Sequence, residues 1–254
     1  MNKNDIDEVD RLNKKYEYEK KGPKAVILFH AYTGTPNDVN SVARALERNN
    51  YTVLTPTLDG HDLADPNDLL EYGIEDWIKN GEEAYQTLRE DGYTDISVFG
   101  LSLGGVVATD IMLKHDVKSY GVFSSPVITN EDSNVPQNFW LWYKFKMKKL
   151  GMDQKEIEEN KQEVMKKVEK RLKEINDYVA TMSAKYEEIE IPVFIGQGGQ
   201  DEMVNPNHAY TFKDRLVNAE VDFHWYEEAP HVITVGRIGK ELQEDLLEFL
   251  EKYA

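Results

Sequence analysis

The chain has 254 residues, 40% of them apolar, which suits one large domain with a buried core and leaves little length for two. Its 47 acidic side chains outnumber 30 basic ones, for a net charge of -17, so the surface as a whole repels phosphate backbones and anionic lipid headgroups, and nucleic acid is not expected as a partner. Cysteine is absent, which rules out a disulfide framework, a thiol nucleophile and a cysteine-held metal.

Tyr16 and Tyr18 alternate with Glu17 and Glu19, which predicts a short edge strand. Ala25-Val26-Ile27-Leu28-Phe29 is a continuous apolar run ending at His30. It is bounded by Gly22-Pro23 and Gly34-Thr35-Pro36 and predicts a strand buried on both faces. Residues 38–49 place Val39, Val42, Ala43 and Leu46 at helical spacing, and residues 52–55 read as a second strand closed by Pro56. Residues 74–88 read as a helix, 96–99 as a strand and 103–114 as the helix after it. Further strands are predicted at 120–123, 193–197 and 221–225, and a last helix at about 239–250. The alternation predicts an α/β fold, a mostly parallel central sheet with helices on both faces.

Residues 127–190 break the alternation. Ile157, Val164, Val168, Leu172, Ile175, Val179 and Met182 make one apolar helical stripe among Lys and Glu, preceded by the aromatic run Phe139-Trp140-Leu141-Trp142-Tyr143. We expect residues 126–190 to be a helical cap inserted between two strands, and residues 1–125 and 191–254 to form the core domain. A surface helix pair packed on the core is the plain alternative to a cap, and a partner-binding role for the charged helix of residues 153–182 is a third reading. Residues 1–21 are rich in Asn, Asp, Glu and Lys and lack the apolar core of a signal peptide. No apolar run reaches membrane-spanning length. The expectation is a cytoplasmic protein without stable membrane insertion, monomeric or homodimeric.

Chemistry concentrates at Gly100-Leu101-Ser102-Leu103-Gly104, followed by Gly105. A serine hydroxyl is a weak nucleophile unless it is exposed, aimed and next to a base. A sharp turn between the strand at 96–99 and the following helix lifts it out of the sheet, and flanking glycines relieve the crowding. The helix N-terminus adds N–H donors where an oxyanion forms. Of six histidines, His231 stands apart: it follows Pro230 in the loop after the last strand, the edge where open α/β sheets carry their sites. The orienting carboxylate belongs between serine and histidine in chain order. Asp201, in the loop after the strand at 193–197, is the first choice and its neighbour Glu202 the fallback. One oxyanion donor is expected from the N–H of Leu103, the other from the loop His30-Ala31-Tyr32-Thr33-Gly34, with Tyr32 the best candidate. His61 beside Asp59 is read as structural.

These motifs resemble those of the small bacterial carboxylesterases and monoacylglycerol lipases of the α/β-hydrolase superfamily. The likeness runs over nearly the whole chain from Tyr16. It rests on His30-Ala31-Tyr32-Thr33-Gly34, on the serine motif, on Asp201-Glu202-Met203-Val204-Asn205-Pro206 and on His231-Val232-Ile233-Thr234. It implies a triad of Ser102, Asp201 and His231, an oxyanion hole from the N–H groups of Tyr32 and Leu103, and a small cap after Pro126. The family usually has Gly after the first histidine, where this chain has Ala31. The implied activity is hydrolysis of short- to medium-chain carboxylic esters, monoacylglycerols among them, through an acyl-enzyme on Ser102, with no metal or organic cofactor. An acyltransferase or C–C bond hydrolase uses the same triad, and a binding protein can keep the scaffold without turnover.

Overall fold

The computed structural model describes residues 15–129 and 133–253. Six strands form one sheet in the order β2-β1-β3-β4-β5-β6: β1 (Lys24–Phe29), β2 (Tyr51–Leu54), β3 (Ile96–Leu101), β4 (Tyr120–Phe123), β5 (Val193–Gly198) and β6 (Val221–Tyr226). All five pairings are parallel. Every strand therefore delivers its carboxyl end to the same edge, and the crevice outside that edge is where such sheets carry their sites.

The side-chain alternation of the strands splits the core into two layers. In β1, Ala25, Ile27 and Phe29 point to one face, and Val26 and Leu28 to the other. The first face is covered by α3 (Ile74–Glu90) and α4 (Leu103–Lys114), and the second by α1 (Asn40–Arg48) and α9 (Gly236–Tyr253). With both faces covered, β1 has no need of polar residues, which is why it reads as an unbroken apolar run. Trp77 of α3 is fully buried, and its Nε1 donates to the Asp59 carbonyl at 3.0 Å. Truncating a side chain of that size costs about 3–5 kcal/mol.

Between β4 and β5 the chain forms α5 (Val135–Lys149), α6 (Gln154–Glu159) and α7 (Lys161–Ser183). The apolar stripe predicted as one helix is divided at Asn160, whose N–H closes α6 on the carbonyls of Glu156 and Ile157. Ile157, Val164, Val168, Ile175, Val179 and Met182 are all buried on one side, so the periodicity survives the break. α7 packs on α3 and α4, where Tyr178 donates to Asp110 at 2.6 Å, and also on α5 and the short α2 (Asn67–Glu71). One more helix, α8 (His208–Arg215), joins β5 to β6.

The predicted edge strand at Tyr16–Tyr18 is absent. Tyr16 is instead held by its hydroxyl, which donates to Glu83 of α3 at 2.5 Å, and Tyr18 by a hydrogen bond to Asp91 just past that helix. Alternation here marks which side chains face α3, without any backbone ladder.

Candidate active site

Ser102 sits between β3 and α4 with φ 53° and ψ -119°, a left-handed conformation that costs an L-residue on the order of 1–3 kcal/mol. The turn closes only because its neighbours lack side chains. A Cβ on Gly100 would lie 2.1 Å from the carbonyl of Gly104, and one on Gly104 would lie 2.3 Å from the Phe29 oxygen. The N–H of Ser102 donates to the Phe123 carbonyl at 2.9 Å, so the turn is anchored to β4 as well as to its own strand.

Asp201 and His231 come together across the ends of β5 and β6. Nδ1 of His231 lies 2.8 Å from Oδ2 of Asp201, and both side chains are buried. Oδ2 also accepts from Gln197 Nε2 at 3.1 Å, and Oδ1 accepts from the N–H groups of Met203 and Val204 at 2.9 and 3.0 Å. The carboxylate is thus fixed on every side. Glu202 plays a different part, since its Oε2 accepts from the His231 backbone N–H at 3.0 Å. The choice that the sequence leaves open is between a carboxylate on the imidazole and one on the peptide, and Asp201 is the residue on the imidazole. Ser102 lies on the same sheet edge, and no hydrogen bond joins its side chain to His231 among the described residues.

The loop after β1 is built around two buried histidines. His30 Nε2 accepts from the Leu58 N–H at 3.1 Å, so the ring proton is on Nδ1 and donates to the Ala31 carbonyl at 2.9 Å. Burial, with the neighbouring His61 second, lowers the pKa of His30 to about 3. His61 is also lowered, burial outweighing the carbonyls around it, and its Nε2 donates to the Tyr32 carbonyl at 2.6 Å. The Ala31 N–H is taken by Asp38 Oδ2 at 3.3 Å, and the Gly34 N–H by the Ala31 carbonyl at 3.1 Å. Tyr32 and Thr33 in this loop, and Leu103 at the start of α4, have backbone N–H groups without an acceptor among the described residues. The Ala31 methyl packs against the core layer under α1 and α9.

Sequence reasoning takes His61 as a structural loop residue and assigns no role to His30, Asp38 or Gln197. Apart from the loop motif that begins at His30, the sequence signal for His30 and His61 is their polarity beside apolar surroundings, since the partners of their Nε2 atoms, Leu58 and Tyr32, lie 28 and 29 residues away.

α5 lies over this region. Its start is tied to the loop after β5 by Asn134, whose N–H and Nδ2 donate to the carbonyls of Met203 and Glu202 at 3.1 and 2.9 Å. Its first turns bring Phe139 to 5.6 Å from the Tyr32 ring. A cleft of about 210 Å³ opens between Thr33-Gly34-Thr35, His61 and the α5 residues Trp142 and Lys146. A second, more open cleft of about 460 Å³ runs from Asp201 and Glu202 to Asn134 and Gln137. Ser102 lines neither.

The chain is 32% identical to a carboxylesterase of Bacillus subtilis (strain 168), over 92% of this chain and 94% of that protein. It is 26% identical to a thermostable monoacylglycerol lipase of Bacillus sp. (strain H-257), over 93% and 94%. Among solved structures, a metagenome-derived lipolytic enzyme superposes with a TM-score of 0.72 at 18% identity, covering 94% of this chain and 97% of that one, a likeness of fold. The family model described as serine aminopeptidase, S33, matches residues 21–236. The chain belongs to that family, within the α/β-hydrolase superfamily and on its carboxylesterase and monoacylglycerol lipase side.

Proposed function

We propose that the protein hydrolyses short- to medium-chain carboxylic esters through an acyl-enzyme on Ser102, with His231 as general base and Asp201 as the residue that orients it. The observation that carries the proposal is the buried pair of Asp201 and His231, 2.8 Å apart, on the sheet edge that also holds the strained Ser102 turn. Asp201 accepts the Nδ1 proton, which leaves Nε2 as the basic nitrogen. Ser102 Oγ attacks the ester carbonyl carbon while Nε2 takes its proton. The carbonyl oxygen becomes an oxyanion, held by the N–H groups of Tyr32 and Leu103, each worth roughly 3 kcal/mol of barrier lowering in comparable sites. His231 returns the proton to the leaving alcohol. A water then attacks the acyl-enzyme with the same base, releasing the acid and restoring Ser102. These steps need no cofactor.

The helices of residues 126–190 act in this reading as a cap, with α5 as the wall facing the oxyanion loop. The expected substrates carry a small alcohol or glycerol part, in line with the aromatic cap helix over the oxyanion loop and with the carboxylesterase and monoacylglycerol lipase relatives. The test is turnover of p-nitrophenyl acetate, butyrate, octanoate and palmitate by wild type and Ser102→Ala. The expected fall in kcat is about a millionfold. A folded wild type with no activity on any of the four overturns the proposal.

A further inference from the structure

Three of the seven large apolar side chains that stand exposed among the described residues fall within ten positions of one another. Leu141, Phe145 and Leu150 are 59%, 58% and 50% exposed. Leu141 and Phe145 are one turn apart on α5 and share its outer face, while Phe139, Tyr143 and Met147 bury the inner one.

The same stretch reverses the charge of the molecule. Residues 133–152 hold Lys144, Lys146, Lys148 and Lys149 and no Asp or Glu, in a chain of net charge -17. Two of the four lysines are engaged: Lys144 lies 3.6 Å from Glu158, and Lys146 donates to the Leu63 carbonyl at 3.3 Å. Lys148 and Lys149 have no carboxylate partner among the described residues, and Lys149 Nζ stands 4.5 Å over the Phe145 ring.

We propose that the outer face of α5 docks on an anionic lipid surface and holds the ester site there, so that lipid-borne esters are its substrates. The proposal rests on the ester-hydrolase reading and names the surface from which that site is fed. An apolar stripe edged by lysines is the pattern of a helix that lies in a headgroup layer. The acidic remainder of the surface is screened beyond a Debye length of about 8 Å, so the local charge decides. A two-fold contact between copies through α5 would bring two positive faces together with no carboxylate in residues 133–152 to pair with Lys148 and Lys149, which disfavours a second copy as the occupant. Because α5 flanks both clefts, docking by its outer face keeps them beside the lipid.

The full-length protein is sedimented with vesicles of phosphatidylcholine alone and with a third of phosphatidylglycerol. Binding to the anionic vesicles only is expected. Lys148→Gln with Lys149→Gln should weaken it roughly 25-fold, from about fivefold for each lysine near a charged leaflet. Leu141→Gln with Phe145→Gln should weaken it too. Both pairs should turn over dissolved p-nitrophenyl butyrate within about twofold of wild type, since none of the four residues lines a cleft. A wild type that ignores anionic vesicles, or variants that bind them as wild type does, overturns the proposal. So does self-association, read by sedimentation velocity, that the same variants abolish in a protein without lipid binding. Vesicle binding is read without turnover, so failure of the ester-hydrolase reading shows separately, as absence of product.

Discussion

Asp201→Asn separates an orienting carboxylate from a merely buried one. Asp201 Oδ1 accepts two backbone N–H groups, and Oδ2 faces two further donors, His231 Nδ1 and Gln197 Nε2. Asn has one oxygen for these four. If it keeps the oxygen on Met203 and Val204, its NH2 confronts the imidazole, and His231 must move its proton to Nε2. Nε2 is then a donor and Ser102 has no base. If the amide flips, the two backbone donors lose their acceptor, at about 1–3 kcal/mol each. The first arrangement therefore wins. Its consequence is a fall in kcat of about 10⁴-fold, or roughly 5 kcal/mol of transition-state stabilisation. Glu202→Gln is the control. Glu202 accepts one N–H from the His231 backbone, and a Gln carbonyl accepts it equally well, so kcat should fall by less than about tenfold. The assay is steady-state hydrolysis of p-nitrophenyl butyrate, with thermal unfolding of each variant to confirm the fold. The reasoning fails if Asp201→Asn keeps a tenth of wild-type kcat, or if Glu202→Gln is equally crippled.

Acid should destabilise the protein through its buried histidines. His30 has a pKa of about 3 in the folded state against 6.5 when exposed, so above pH 6.5 both states are neutral and its contribution is complete. As pH falls below 6.5, the unfolded chain takes up a proton that the folded one refuses. By pH 4.5 the loss is on the order of 3 kcal/mol, and it grows until about pH 3. Urea unfolding at pH 7.5 and 4.5 should show this, and His30→Asn should flatten the slope; an unchanged slope sinks the argument. Gly100→Ala would press a methyl into backbone at 2.1 Å, so a loss of roughly 3 kcal/mol and a melting point lower by about 6–12 °C are expected by calorimetry. His61→Ala removes the donor to the Tyr32 carbonyl and should reduce kcat by about tenfold without abolishing it, since the His30 bond to the Ala31 carbonyl still holds the same loop. Turnover equal to wild type would show that the loop does not need the His61 hydrogen bond.

What can be read from the sequence is what depends on neighbours in the chain. The Ser102 turn needs a strand before it, a helix after it and glycines at fixed offsets, all within ten residues. The placement of Asp201 and His231 follows from a rule about strand ends, and needs only the strands at 193–198 and 221–226 to be found. The short apolar strands are legible because they are buried on both faces and tolerate no polar interruption. Helix boundaries at 103–114 emerge because the glycine turn and His115 delimit them. In the segment between β4 and β5, periodicity reveals a buried stripe but not its break at Asn160. Both helices bury the same side, and a bend between them leaves the spacing of Ile157 and Val164 intact.

The rest of the site is held by contacts that join distant parts of the chain, and these leave no local pattern. His61 reaches back 29 residues to Tyr32, and His30 reaches forward 28 to Leu58. Thr234, buried three residues after His231, donates from Oγ1 to the Asp38 carbonyl at 2.5 Å, while Ser41 Oγ donates to the Thr234 carbonyl at 2.7 Å. Those two bonds fasten the loop carrying the imidazole to the segment whose Asp38 carboxylate holds the Ala31 N–H. The proposed base and the proposed oxyanion donor are therefore parts of one hydrogen-bonded frame, though almost two hundred residues separate them in sequence. A threonine at the start of a terminal helix looks like an ordinary cap when only its neighbours are considered. Its importance here comes from a partner on the far side of the sheet edge, and only the folded chain brings the two together.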